Sequence, residues 1–68
     1  MILEQRYKDL LFRIEQDEPS VGFYLYIYNG DKCEADYLQD TVLACKEFAF
    51  EEYGVPMNAW HEEIQEDD

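Results

Sequence analysis

The sequence predicts an α+β domain: a three- or four-stranded, mainly antiparallel sheet with one helix packed on one face. The order is β-β-β-α, with a short final strand possible in the pattern. Three observations carry this expectation. Phe23-Tyr24-Leu25-Tyr26-Ile27-Tyr28 alternates in kind and runs straight into Asn29-Gly30, the strongest short hairpin signal. The stretch from Thr41 to Tyr53 is bounded by helix start and stop residues. A chain of 68 residues holds one small domain. Residues 1–64 are assigned to that domain and residues 65–68 to an acidic tail.

The first sixteen residues fit two periods. Leu3, Tyr7, Leu10, Leu11 and Ile14 suit one helical face, supported by Glu4–Lys8 and Asp9–Arg13 at i,i+4. Leu10, Phe12 and Ile14 also alternate as in a strand. A strand from Asp9 to Gln16 is preferred, because a two-stranded hairpin is marginal alone and a third strand supports it. Asp17-Glu18-Pro19-Ser20 then turns the chain into a strand from Val21 to Tyr28. Its Phe23, Leu25 and Ile27 share one face, and Tyr24, Tyr26 and Tyr28 the other. Lys32 to Tyr37 returns, with Cys33, Ala35 and Tyr37 opposed to Lys32, Glu34 and Asp36.

Asp40 is the expected cap of the helix. Gly54 supplies its left-handed stop, and Pro56 blocks continuation. Val42, Cys45, Ala49 and Tyr53 form the inner stripe. Leu43 and Phe50 flank one side and Phe48 the other, an apolar arc wide for one small sheet. Trp60 to Ile64 reads as a short last strand.

Charge narrows the function classes. Seventeen acids against five bases give a net charge of −12. Nucleic-acid binders cluster Lys and Arg, whereas Arg6, Lys8, Arg13, Lys32 and Lys46 are scattered among acids, so nucleic acid is not an expected partner. Anionic membrane surfaces are disfavoured for the same reason. No apolar run approaches the ~20 residues of a spanning helix, and Met1-Ile2-Leu3-Glu4 lacks the basic start of a signal peptide. A cytoplasmic location with reduced Cys33 and Cys45 is therefore expected. Disorder is disfavoured by six Tyr, four Phe and one Trp.

The stretch Asp36-Tyr37-Leu38-Gln39-Asp40-Thr41 leads into a helix containing Ala44, Ala49, Glu52, Tyr53, Gly54 and Val55, with Trp60 beyond. From Phe23 to Trp60 the chain resembles small bacterial proteins of unknown function. These carry Asp-Thr before an Ala- and Glu-rich helix that ends in an aromatic-Gly pair. The resemblance implies no activity, so no functional residue is carried over.

The catalytic inventory is thin. A triad needs a nucleophile, a base and an orienting group, and Ser20, Thr41 and His61 show no supporting spacing. A reactive Cys33 or Cys45 needs a positive neighbourhood, but Glu34, Asp36, Glu47 and Glu51 supply the opposite, and both thiols read as small core residues. Asp31, Glu34 and Asp36 fail the calcium-loop template, because the twelfth position falls on Val42. No cofactor, metal ligand or catalytic residue is assigned, and the chain is read as a non-enzyme.

The tyrosine stripe is the sharpest feature. One helix covers one face of a sheet, which leaves Tyr24, Tyr26 and Tyr28 on the other. Leu11, Arg13 and Glu15 are expected beside them on one side, and Lys32, Glu34 and Asp36 on the other. Tyrosine is enriched in interface anchors. A bland reading is a solvated face, since Tyr favours strands intrinsically; base stacking on the rings is opposed by the charge. The expected function is protein–protein interaction, first as a homo-oligomer. Tyr24, Tyr26, Tyr28 and Leu11 are the candidate sheet surface, and Leu43, Phe48 and Phe50 the candidate helix flank. The alternatives are an acidic inhibitor or immunity-type protein that binds a basic partner, and a small-ligand binder or enzyme at an oligomer interface.

Overall fold

The computed structural model describes residues 2–16 and 22–62. It is an α+β fold in which one helix packs on an antiparallel sheet. The elements are β1 (Ile2–Tyr7), β2 (Leu10–Gln16), β3 (Phe23–Asn29), β4 (Lys32–Gln39), α1 (Val42–Tyr53) and β5 (His61–Glu62). The sheet order is β4-β3-β2-β1-β5, with every pair of neighbours antiparallel. The acidic tail, the Asp17–Ser20 turn and Val21 lie outside the described residues.

Residues 2–16 form a hairpin, β1–β2. The helical alternative is overturned, and the expected strand over Asp9–Gln16 is β2, preceded by a further strand. The ladder runs from Ile2 opposite Glu15 to Tyr7 opposite Leu10. Its loop is Lys8-Asp9, with φ of 50° and 69°. Two consecutive left-handed residues make a turn whose twist matches the flanking strands. Asp tolerates that conformation; at Lys8 it costs roughly 1–2 kcal/mol, which the ladder offsets. The helical pairs Glu4–Lys8 and Asp9–Arg13 do not form as such. Glu4 stands opposite Arg13 across the hairpin instead.

The β3–β4 hairpin closes through Gly30 and Asp31, with Asn29 opposite Lys32 and Gly30 at φ 65°. A bulge follows: Tyr28 faces Cys33, but Ile27 faces Ala35. One extra residue shifts the alternation of β4. Lys32 and Glu34 therefore do not flank the tyrosines as the simple alternation implied; Cys33, Asp36 and Leu38 stand opposite Tyr28, Tyr26 and Tyr24. The same shift explains why Cys33 is exposed rather than a core residue, while Cys45 is buried. Gly22, entering β3 at φ 122°, lies so close to β4 that a Cβ there would sit 2.5 Å from the Gln39 carbonyl oxygen.

Thr41, not Asp40, caps α1: its Oγ1 accepts from the Ala44 amide at 3.0 Å. Gly54 ends the helix in the left-handed conformation, and its amide bonds back to the Phe50 carbonyl at 2.9 Å. The helix packs on β2, β3 and β4. Phe12, Ile14, Leu25 and Ile27 from the sheet, Cys45 and Ala49 from α1, and Val55 make the buried core. Each of the large side chains contributes about 1.5–3 kcal/mol relative to exposure. Leu3 and Tyr7 of β1 and Trp60 beyond the helix pack against this cluster. The described part of the expected last strand is β5, His61–Glu62, paired to β1; Glu63 and Ile64 lie outside the described residues.

Candidate functional site

Strand alternation sends every second residue of β1–β3, and of β4 on either side of its bulge, to the face that carries no helix. The registers order these residues into rows. The central row is Glu4, Arg13, Tyr26 and Asp36, extended at the β1 edge by His61 opposite Glu4. The row above is Ile2, Glu15, Tyr24 and Leu38; the row below is Arg6, Leu11, Tyr28 and Cys33. The expected Tyr24, Tyr26, Tyr28 and Leu11 are thus brought together on one surface.

The rings pack on one another along β3. Tyr24 and Tyr26 stack with centroids 5.5 Å apart, and Tyr26 and Tyr28 follow at 6.2 Å. Each is only half-buried. Arg13 is held beside them. Its guanidinium donates to Glu4 in a hydrogen-bonded ion pair, reaches Glu15 at 3.5 Å, and lies 5.8 Å from the Tyr28 ring centroid. Burial opposes the charge on Arg13, but Glu4 and then Glu15 more than offset it, and its pKa is raised. Tyr26 is also raised, first by burial and then by Glu15, the flanking tyrosines and Asp36.

The face is nearly neutral. Arg6 and Arg13 stand against Glu4, Glu15 and Asp36, in a chain whose net charge is −12. Most of the acidic excess therefore lies elsewhere. At the β1 end, a groove of about 590 Å³ is lined by Glu4, Gln5, Arg6, Leu11, Ala59 and His61. Among the described residues, Gln5 Oε1 and Trp60 Nε1 are buried without a hydrogen-bond partner.

The expected helix flank divides. Leu43 and Phe50 remain exposed, at 57% and 53%. Phe48 is half-buried, its ring 4.4 Å from that of Tyr37, so it turns to the core. The flank lies on the helix side of the sheet and does not join the tyrosine surface. Cys45 is buried, and burial pushes its thiol up to about 11, the reverse of an activated nucleophile. Among the described residues no three His, Cys, Asp or Glu side chains gather to hold a metal, and no helix is long and apolar enough to cross a membrane.

Sequence reasoning missed Glu4, Arg6 and Leu38 as parts of the surface. Glu4 and Arg6 belong to β1, whose alternation Leu3-Gln5-Tyr7 was masked by a competing helical period. Leu38 enters because β4 runs two residues beyond Tyr37. No protein-family model, no curated protein and no solved structure matches the chain. None of these comparisons supports the resemblance to small bacterial proteins of unknown function.

Proposed function

We propose that this chain is a protein–protein interaction module that associates with a second copy of itself through the open tyrosine face. The observation that carries this reading is the coincidence of the contiguous, half-buried rings of Tyr24, Tyr26 and Tyr28 with the nearly neutral part of a strongly acidic surface. Two copies with a net charge of −12 repel, and the repulsion is least where each presents balanced charge. A small domain also gains stability when association buries a further apolar surface.

The area sets the strength. Four long strands spaced ~4.8 Å apart, with a rise of ~3.3 Å per residue, give a face of roughly 20 by 20 Å, or about 400 Å². Stable interfaces bury about 800 Å² per partner. A self-contact limited to this face is therefore weak, with dissociation on the order of micromolar or above.

Sedimentation equilibrium over a concentration series, at low and high salt, tests the proposal. The expected result is a monomer–dimer equilibrium that strengthens with salt, because screening removes long-range repulsion between like-charged copies. Tyr24→Ser with Tyr26→Ser is expected to weaken it at least tenfold. A monomer at every concentration would sink the reading.

The net charge of −12 favours a second reading, an acidic inhibitor-type protein that binds a basic partner. Its salt dependence has the opposite sign: capture on the immobilised protein at low salt and release at high salt.

A further inference from the structure

Within the self-association proposed above, on which this inference rests, the charges of the central row select one arrangement of the two copies. We infer that the dimer has its two-fold axis parallel to β3, so that Arg13 of each copy meets the partner's Asp36.

Packed sheets keep their strands within about 30° of alignment, which leaves two symmetric ways to stack the tyrosine stripes. In a two-fold dimer the same patch serves both copies. If the axis runs along β3, rotation carries β4 over β2, because these strands flank β3 on opposite sides. The row Arg13–Tyr26–Asp36 then reads in reverse on the partner. Tyr26 meets the partner's Tyr26, and Arg13 meets the partner's Asp36 twice over. If the axis lies in the interface but across the strands, β2 faces β2 and β4 faces β4. Arg13 then meets the partner's Arg13, and Asp36 the partner's Asp36. Like charges brought opposite one another are strongly disfavoured in an interface, so the first arrangement wins.

The neighbouring rows give each arrangement one leucine against Glu15, so the central row decides. With the axis along β3, Tyr24 meets the partner's Tyr24, Leu11 meets the partner's Cys33, and Leu38 meets the partner's Glu15. With the axis across the strands, Tyr24 meets the partner's Tyr28, Leu38 meets the partner's Cys33, and Leu11 meets the partner's Glu15. Arg13 is also prepared for its role. Glu4 and Glu15 hold its guanidinium on the face while its side chain stays 33% exposed, so little further ordering is needed to form the pair.

Asp36→Asn separates the two arrangements by sign. It lies at an exposed position on an edge strand, away from the core. Asp31→Asn, in the exposed β3–β4 loop, is the control for the change in net charge. With the axis along β3, Asp36→Asn removes two attractive pairs, and dimerisation is expected to weaken roughly 3- to 10-fold relative to Asp31→Asn. With the axis across the strands, it relieves a repulsion and dimerisation tightens. Equal or tighter association than Asp31→Asn overturns the inference while leaving self-association standing. A wild-type protein that stays monomeric defeats the self-association reading itself and this inference with it. In a half-labelled dimer, isotope-filtered NMR gives a second readout. Contacts between Tyr24 and the partner's Tyr24 support the arrangement, and contacts between Tyr24 and the partner's Tyr28 refute it.

Discussion

At the centre of the sheet the two faces are built from the same two strands, β2 and β3, yet they solve opposite problems. On the helix side, Phe12, Ile14, Leu25 and Ile27 are essentially inaccessible. On the other side their immediate neighbours Leu11, Arg13, Glu15, Tyr24, Tyr26 and Tyr28 remain half-buried. The covered face is predominantly apolar and buried, and it holds the domain together. The open face is aromatic and lined with paired charges, each phenol and guanidinium keeping a polar end that water tolerates. A face built this way survives in solvent and still offers ring area to another surface. The difference lies in what the alternate positions carry, since backbone and register are shared.

The largest contrast is in stability. Phe12→Ala opens a cavity in the core and is expected to cost about 3–5 kcal/mol. In a domain this small that unfolds much of the population, as measured by chemical denaturation. Tyr24→Ser with Tyr26→Ser is expected to leave the monomer folded and to weaken dimerisation at least tenfold. Unfolding of that double variant instead would show that the tyrosines serve the fold, and the distinction between the faces would collapse.

The two thiols sample the two sides. Cys33 is exposed and Cys45 buried, so a thiol reagent is expected to modify one cysteine per native chain rapidly and the second only on unfolding. Equal rates at both would mean that the helix does not seal its face. Cys45 also adds an alkaline limit. Its folded-state pKa is raised by burial from 9.0 to about 11. The stability tied to the neutral thiol is therefore fully present below about pH 9 and is lost as pH rises towards 11. Cys45→Ala is expected to flatten that decline in melting temperature.

The smallest effect is expected on the helix flank. Leu43→Ser with Phe50→Ser changes side chains more than half exposed, and monomer stability should move by only about 0.5 kcal/mol per site. If instead it abolishes dimerisation while the tyrosine variant does not, the contact surface lies on the helix and the open face is merely solvated.

The helix, its glycine stop, and the strand that separates Phe23, Leu25 and Ile27 from the three tyrosines are legible in the sequence alone. In each case the evidence is local: a period, a stop residue or a hairpin signal within a few positions. The tyrosine surface is legible there too, because alternation needs no partner to be read. Tertiary structure decided what surrounds that surface. The Lys8-Asp9 turn has no glycine, and Ile2 to Tyr7 fits a helix as readily as a strand, so only pairing with β2 made β1 a strand. That pairing brought Glu4 to Arg13, nine residues apart in sequence. The bulge in β4 has no local signature either. It arises from fitting β4 to β3, and it turned Cys33 outward and took Glu34 out of the row beside the tyrosines. Periodicity thus assigns residues to a face, but a row across strands exists only once register is set, and register is a property of the assembled sheet.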